Sequence, residues 1–294
     1  MNKVGFIGVG IMGKSMVRNL MKAGFELHIY ARTKSKVEDV ISEGAQFHES
    51  IKDCVQDCDA VITIVGFPQD VEEVYFDGGN ILDSAKKGAY LIDMTTTSPQ
   101  IAEKIYAEGT KRGFHVMDAP VTGGDTGAKA GTLSILVGGE KEDYEACMPL
   151  FEAMGTNINY QGKAGCGQHC KLANQIMIAG TLSGVCEALT YAKEQGLDPE
   201  VFMKSVATGA AGSKQLDTFG PKILKDDYAP GFFMKHFIKD MKLALIEANR
   251  KGLSLDVLSM VLANYEELEQ EGYGDLGTQA LMKFYDEEHR NTEE

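Results

Sequence analysis

The segment Lys3-Val-Gly-Phe-Ile-Gly8-Val-Gly10-Ile-Met-Gly13 decides the fold. A short apolar run, Lys3–Gly8, stops at glycine. Apolar residues then recur at helical spacing over Ile11–Ala23, until Gly24 ends the helix as a C-cap does. Gly8, Gly10 and Gly13 fit G-x-G-x-x-G in the context the motif needs, after a strand and opening a helix. Gly8 permits a tight turn, Gly10 lets the backbone approach a pyrophosphate, and Gly13 allows helix and strand to pack closely. The helix N-terminus adds free N–H groups and the positive end of its dipole. Gly8, Val9, Gly10, Ile11, Met12 and Gly13 are therefore the expected contacts to the phosphates of a dinucleotide.

Outward from this turn, β-like runs alternate with helical patterns. Strands are expected at Glu26–Tyr30, Asp59–Val65, Tyr90–Asp93, Phe114–Asp118 and Thr132–Val137. Helices are expected at about Lys34–Glu43, from Pro68, and from Ser98-Pro99 to about Arg112. That alternation predicts a parallel, doubly wound, Rossmann-type sheet. Past Gln161 the pattern changes. Residues 166–195 read as one long helix, followed by helical stretches at 200–210, 213–225, 235–251, 254–270 and 277–289. The expected architecture is thus α/β: a dinucleotide-binding domain over 1–162, and an all-α domain over 163–294 for substrate and oligomerisation, joined by a long interdomain helix.

The end of the second strand bears on which dinucleotide is bound. NAD sites place a carboxylate there for the adenosine ribose. This chain has Ala31-Arg32-Thr33, then Lys34 and Lys36, so a guanidinium suited to phosphate stands where a carboxylate would be. NADP is favoured, with NAD possible, and Arg32, Thr33 and Lys36 are the residues assigned to that end of the cofactor.

Composition narrows the function classes. The chain of 294 residues holds 33 glycines, about 11% against an average near ~7%, with no collagen-like period. Its net charge is −14, and the residues from Met260 onward carry −8 of it. An acidic chain with no Lys/Arg cluster is a poor candidate for nucleic-acid or anionic-membrane binding. Asn174, Gln175, Thr181, Ser183 and Glu187 make the long helix too polar for a lipid-facing span. No secretory pattern is read at MNKVGFIGVG, and the six scattered cysteines are expected as reduced thiols of a cytoplasmic protein. Cys166, His169 and Cys170 lack a second ligand cluster, so packing is expected there and no metal. No G-x-S-x-G elbow supports a serine hydrolase.

Three further segments match a known pattern: Asp118-Ala-Pro-Val-Thr-Gly-Gly124, Gly165-Cys-Gly-Gln-His-Cys-Lys171-Leu-Ala-Asn174, and Phe237-Ile-Lys239-Asp240-Met-Lys-Leu-Ala244. With the N-terminal glycines, in this order from Lys3 to about Leu245, they make the chain resemble the β-hydroxyacid dehydrogenase family. That family includes 3-hydroxyisobutyrate dehydrogenase, tartronate semialdehyde reductase and the glyoxylate/succinic semialdehyde reductases. The resemblance implies that Lys171 is the catalytic lysine and Asn174 its substrate-orienting amide. It implies that Thr122, Gly123 and Gly124 hold a substrate carboxylate, Thr122 replacing the usual Ser. By the same resemblance Thr96 and Lys239 contact the cofactor, with Phe232 nearby, and Val65 joins them. A homodimer or homotetramer is also implied. Two departures bear on the substrate more than on the reaction. The second Asn after the lysine is Gln175 here, taken as a further substrate contact, and Phe233-Met-Lys-His-Phe237 replaces the usual Arg-Ile-Asp-Leu-His.

The residue chemistry agrees. Lys171 and Asn174 are three apart, so on a helix they share a face. Reducing an aldehyde needs a proton at oxygen, which a lysine donates while its charge stabilises the developing alkoxide. A lysine's ordinary pKa near ~10.4 must fall for work near neutrality, which burial beside a cation such as Lys239 would bring about. The expected reaction is NADP-dependent interconversion of a small 3-hydroxyacid and its semialdehyde, with the nicotinamide in a cleft between the domains. Two rivals stand beside it: a non-catalytic dinucleotide-binding sensor, and an imine reductase-like enzyme, a class that typically lacks the lysine. The chain is too short for the phosphogluconate-type relatives.

Overall fold

The computed structural model describes residues 1–285. Two compact units divide the chain, Met1–Lys171 and the residues from Leu172 onward.

The first unit is built on one nine-stranded sheet. Its strands are β1 (Lys3–Ile7), β2 (Glu26–Tyr30), β3 (Gln46–Phe47), β4 (Ala60–Thr63), β5 (Tyr90–Asp93), β6 (His115–Asp118), β7 (Val121–Thr122), β8 (Leu133–Gly139) and β9 (Gly155–Gly162). The order β3-β2-β1-β4-β5-β6 is parallel throughout; β8 then runs antiparallel to β6 and β7 and parallel to β9. Adjacent residues on each central strand serve opposite cores, as the two-residue period of a strand requires. Phe6, Ile62, Ile92 and Met117 pack on one face with Met16, Val17 and Leu20 of the Ile11–Lys22 helix. Ile7, Val61, Leu91 and Val116 pack on the other with Val71, Tyr75 and Ile105. Both faces are covered, which is the doubly wound arrangement expected.

In the second unit, Leu172, Ala179, Leu182, Cys186 and Leu189 of the Cys166–Glu194 helix recur at helical spacing. They share a core with Phe237 and Met241 of Met234–Arg250 and with Val261 and Tyr265 of Asp256–Gln270. The Tyr265 hydroxyl donates to the Thr278 carbonyl at 2.7 Å, fixing the final turns.

The compact units part after Lys171, because the first turns of the long helix are tied to the sheet. Asp118 at the end of β6 accepts from Gly165 N at 2.7 Å and from Gln168 N at 2.8 Å. Gly167 makes this approach possible, since a Cβ there would press on the Asp118 and Leu136 carbonyl oxygens. Several expectations are corrected. The sheet is mixed, with three strands that carry no readable period. The expected helix at 34–43 is a 3-10 turn, Lys34–Lys36, followed by the short helix Glu38–Ser42. The segment expected as a helix at 277–289 is a 3-10 stretch, Thr278–Tyr285, and its last residues lie outside the described part. By length and hydropathy Cys166–Glu194 does qualify to cross a membrane. Its residues Leu172, Ala179, Leu182, Cys186 and Leu189 lie in the second unit's core, while Met177 and Tyr191 are exposed. The six cysteines are free thiols.

Candidate active site

Because β1, β2, β4, β5 and β6 run parallel, their carboxyl ends share one edge, where ligands bind in open α/β sheets. The first feature there is the glycine turn. Gly8 takes φ +100°, and a Cβ on it would strike the Ile64 carbonyl; a Cβ on Gly13 would strike the Gly8 carbonyl. Gly10 is different: among the described residues, apart from its chain neighbours, nothing lies within 4 Å of where its Cβ would be. The protein's own packing therefore does not demand a glycine at position 10, and the backbone there is open to a ligand. Gly10 is also the N-cap of Ile11–Lys22, with no side-chain cap and no acidic residue in the first turn. Its N–H groups and open space fit a pyrophosphate. The Val9 side chain is in the core, Met12 packs against it and Ile11 is exposed, so these three offer backbone to the turn.

Beyond β2, Arg32 is exposed, and its Nη2 lies 2.8 Å from both Asp70 Oδ1 and Glu73 Oε2. Asp70 Oδ2 also accepts from Phe67 N at 2.9 Å, which caps the Pro68–Phe76 helix. Thr33 precedes the 3-10 turn, and Lys36 is exposed upon it.

A buried polar network joins β4, β5 and β6. Asp93 Oδ1 accepts from Thr63 Oγ1 at 2.7 Å and from Thr95 N at 3.1 Å, and Val65 N donates to Thr95 Oγ1 at 3.0 Å. Burial pushes the Asp93 carboxyl up to about 6, opposed by the hydroxyl and N–H donors. Burial also raises the Asp118 carboxyl. The fully buried Gln168 closes the network: its Nε2 donates to Thr95 O at 2.8 Å and its Oε1 accepts from Thr97 N at 3.0 Å. Thr96 is held half-buried between these two clamped threonines. Lys171, 8% exposed, is one turn beyond Gln168 on the same helix. Thr122 ends β7, and Gly123 and Gly124 follow with φ +130° and +64°, a pair of conformations that favours glycine at both positions.

The second unit holds the remaining residues. Asn174 Nδ2 donates to Gln175 Oε1 at 2.8 Å, and Gln175 Nε2 donates to Asp240 Oδ2 at 2.6 Å. Lys239 Nζ stands 2.9 Å from Asp240 Oδ1 as an ion pair. Phe232 stacks near His236 and meets Phe237 edge-on.

Sequence reasoning had assigned no role to Asp93, Asp118, Gln168 or Asp240. Asp118, Gln168 and Asp240 lie inside quoted motifs, yet their hydrogen-bond partners are too distant in sequence for any local pattern to reveal.

A glycine turn, an open helix N-terminus and a doubly wound sheet define a dinucleotide-binding protein. Residues 3–162 match the NAD binding domain of 6-phosphogluconate dehydrogenase, and residues 165–285 match the NAD-binding domain of NADP-dependent 3-hydroxyisobutyrate dehydrogenase. An uncharacterized oxidoreductase of Bacillus subtilis is 49% identical, over 96% of this chain and 98% of its own. The 2-hydroxy-3-oxopropionate reductase of Escherichia coli is 37% identical, over 86% of each chain. Among solved structures, the 3-hydroxyisobutyrate dehydrogenase of Mycobacterium tuberculosis with L-serine superposes with a TM-score of 0.89 at 26% identity, covering 97% of this chain and 99% of that one. The chain belongs to the β-hydroxyacid dehydrogenase family. It is an NAD(P)-dependent oxidoreductase of the hydroxyacid and semialdehyde class.

Proposed function

We propose that the protein is an NADP-preferring enzyme that interconverts a small 3-hydroxyacid and its semialdehyde, with Lys171 as general acid in reduction and general base in oxidation. The observation that carries this reading is the placement of Lys171. It is buried one turn beyond Gln168, whose side chain and backbone tie the helix to the Thr95–Thr97 loop and to Asp118.

The Gly8–Gly13 turn would hold the pyrophosphate, and Arg32, Thr33 and Lys36 the adenosine 2′-phosphate. Val65, Thr96, Phe232 and Lys239 are the further cofactor residues. When bound, the cofactor supplies or accepts the hydride. Thr122, Gly123 and Gly124 would receive the substrate carboxylate through a hydroxyl and backbone N–H groups. The Lys171 ammonium gives its proton to the aldehyde oxygen, and its charge stabilises the alkoxide as it forms.

The test is turnover of NADPH against a panel of semialdehydes, with Lys171→Ala beside the wild type. Consumption in the wild type and its loss in the variant, with NADPH binding retained in both, supports the reading. Binding with no consumption by either would make the protein a dinucleotide sensor. A homodimer or homotetramer belongs to the same proposal, supported by the exposed apolar side chains Met177, Tyr191, Val257 and Met260 of the second unit. Sedimentation velocity tests it, and a monomer at micromolar concentration overturns it. A cytoplasmic location completes the proposal, and fractionation checks it.

A further inference from the structure

The row Asn174–Gln175–Asp240–Lys239 has a direction. Asp240 is 1% exposed and ion-paired to Lys239, and a carboxylate in that state only accepts hydrogen bonds. Gln175, equally buried, must therefore turn its NH2 group toward Asp240 Oδ2, at 2.6 Å. That choice fixes its Oε1 on the opposite branch, and Oε1 can only accept. Asn174 must then present Nδ2 to it, at 2.8 Å. An isolated carboxamide can rotate by half a turn and exchange its oxygen and nitrogen. Here one buried charge removes that freedom from two amides in succession.

We infer that Gln175 is a positioning residue and not a substrate ligand: with Asp240 it locks the Asn174 carboxamide so that Oδ1 is the atom offered to substrate. An offered oxygen selects a hydrogen-bond donor. Asn174 would thus take the hydroxyl of the hydroxyacid and not its carboxylate, which needs donors. Gln175 differs from the usual family residue at this position, yet it performs a task that needs both ends of an amide. This inference rests on the proposed reaction for the identity of the ligand, but the orientation itself does not depend on it.

The experiment has two arms. In the first, binding of 3-hydroxypropionate and of 3-fluoropropionate is measured in the presence of NADPH, where the hydroxyacid cannot be oxidised. Fluorine is close to hydroxyl in size but donates no hydrogen bond. The wild type should prefer the hydroxyl by about tenfold, the worth of one hydrogen bond in a site built for it. Gln175→Met and Asp240→Asn should each reduce the ratio toward that of Asn174→Ala. Taking a ratio cancels general loss of binding. An unchanged ratio in Gln175→Met, while Asn174→Ala lowers it, overturns the positioning role. A wild-type ratio near one overturns the orientation.

The second arm needs no substrate. The side-chain NH2 resonances of Asn174 and Gln175 are assigned by the same variants in 15N-labelled protein, and their exchange with solvent is followed. Both should be protected in the wild type and released together in Asp240→Asn. Free exchange at Asn174 in the wild type refutes the relay. Protection with no binding of either acid and no turnover would instead count against the proposed reaction, leaving the relay upheld.

Discussion

Asp118 Oδ2 accepts from the Gln168 backbone N–H at 2.8 Å across 50 positions of sequence, while its Oδ1 accepts from Gly165 N. A strand-end carboxylate thereby satisfies two orphan donors at the start of the long helix and complements its dipole. Asp118→Asn keeps one acceptor and turns an NH2 group toward a backbone N–H. Chemical denaturation should show a loss of about 1–3 kcal/mol. A stability equal to the wild type would mean that the helix start is held by other contacts.

Asp93 makes stability depend on pH. The folded protein keeps its proton up to about pH 6, whereas an unfolded aspartate releases it near ~3.9. This carboxyl's contribution is therefore full below about pH 4 and lost as pH rises through 6, on the order of 3 kcal/mol in total. Asp93→Asn resembles the protonated form and removes the dependence. The stability difference between variant and wild type should shift by that amount in the variant's favour between pH 4 and pH 7. A difference that stays constant with pH refutes the assignment.

Arg32 is shared between its proposed phosphate role and two carboxylates already beside it. Arg32→Asp should weaken NADPH far more than NADH, by about tenfold or more in the ratio of dissociation constants. Glu73→Gln removes a competitor for the guanidinium and should tighten NADPH by a few-fold, an effect of the size surface pairs carry. Equal losses for both cofactors in Arg32→Asp would show that Arg32 does not read the 2′-phosphate.

Gly10 and Gly13 separate binding from folding. Gly13→Ala drives a methyl into the Gly8 carbonyl, and should cost about 1–3 kcal/mol of stability as well as NADPH affinity. Gly10→Ala meets no protein atom, so it should unfold within about 1 kcal/mol of the wild type while binding NADPH at least tenfold more weakly. Fluorescence titration and thermal melts of both variants measure this. Intact NADPH binding in Gly10→Ala would place the pyrophosphate elsewhere.

What was legible in the sequence was whatever has a local period. The central strands and the helices from Ile11, Pro68 and Pro99 announce themselves by apolar spacing and by glycine or proline at their ends. The strands that escaped have no such period. Gln46–Phe47 and Val121–Thr122 are two residues long, and Gly155–Gly162 is polar and largely exposed. The reversal of β8 against β6 is a property of pairing, which one strand's residues do not encode. The glycine turn was readable because its three glycines fall at a fixed spacing between a strand and a helix. The buried partners of Asp118 and Gln168 were not, because a polar side chain gives no sign of which distant backbone group it will meet.

The two margins of the sheet carry a further consequence. One ends in β3, only two residues long. The other ends in β9, whose pairing with β8 is broken by register shifts at Leu133/Ser134 and Val137/Gly138 and whose outward residues include Asn157 and Asn159. Short, irregular or polar edges are poor templates for a foreign strand. Both margins of the sheet thus offer a poor template for lateral strand addition, one by its shortness and the other by its polar, irregular register.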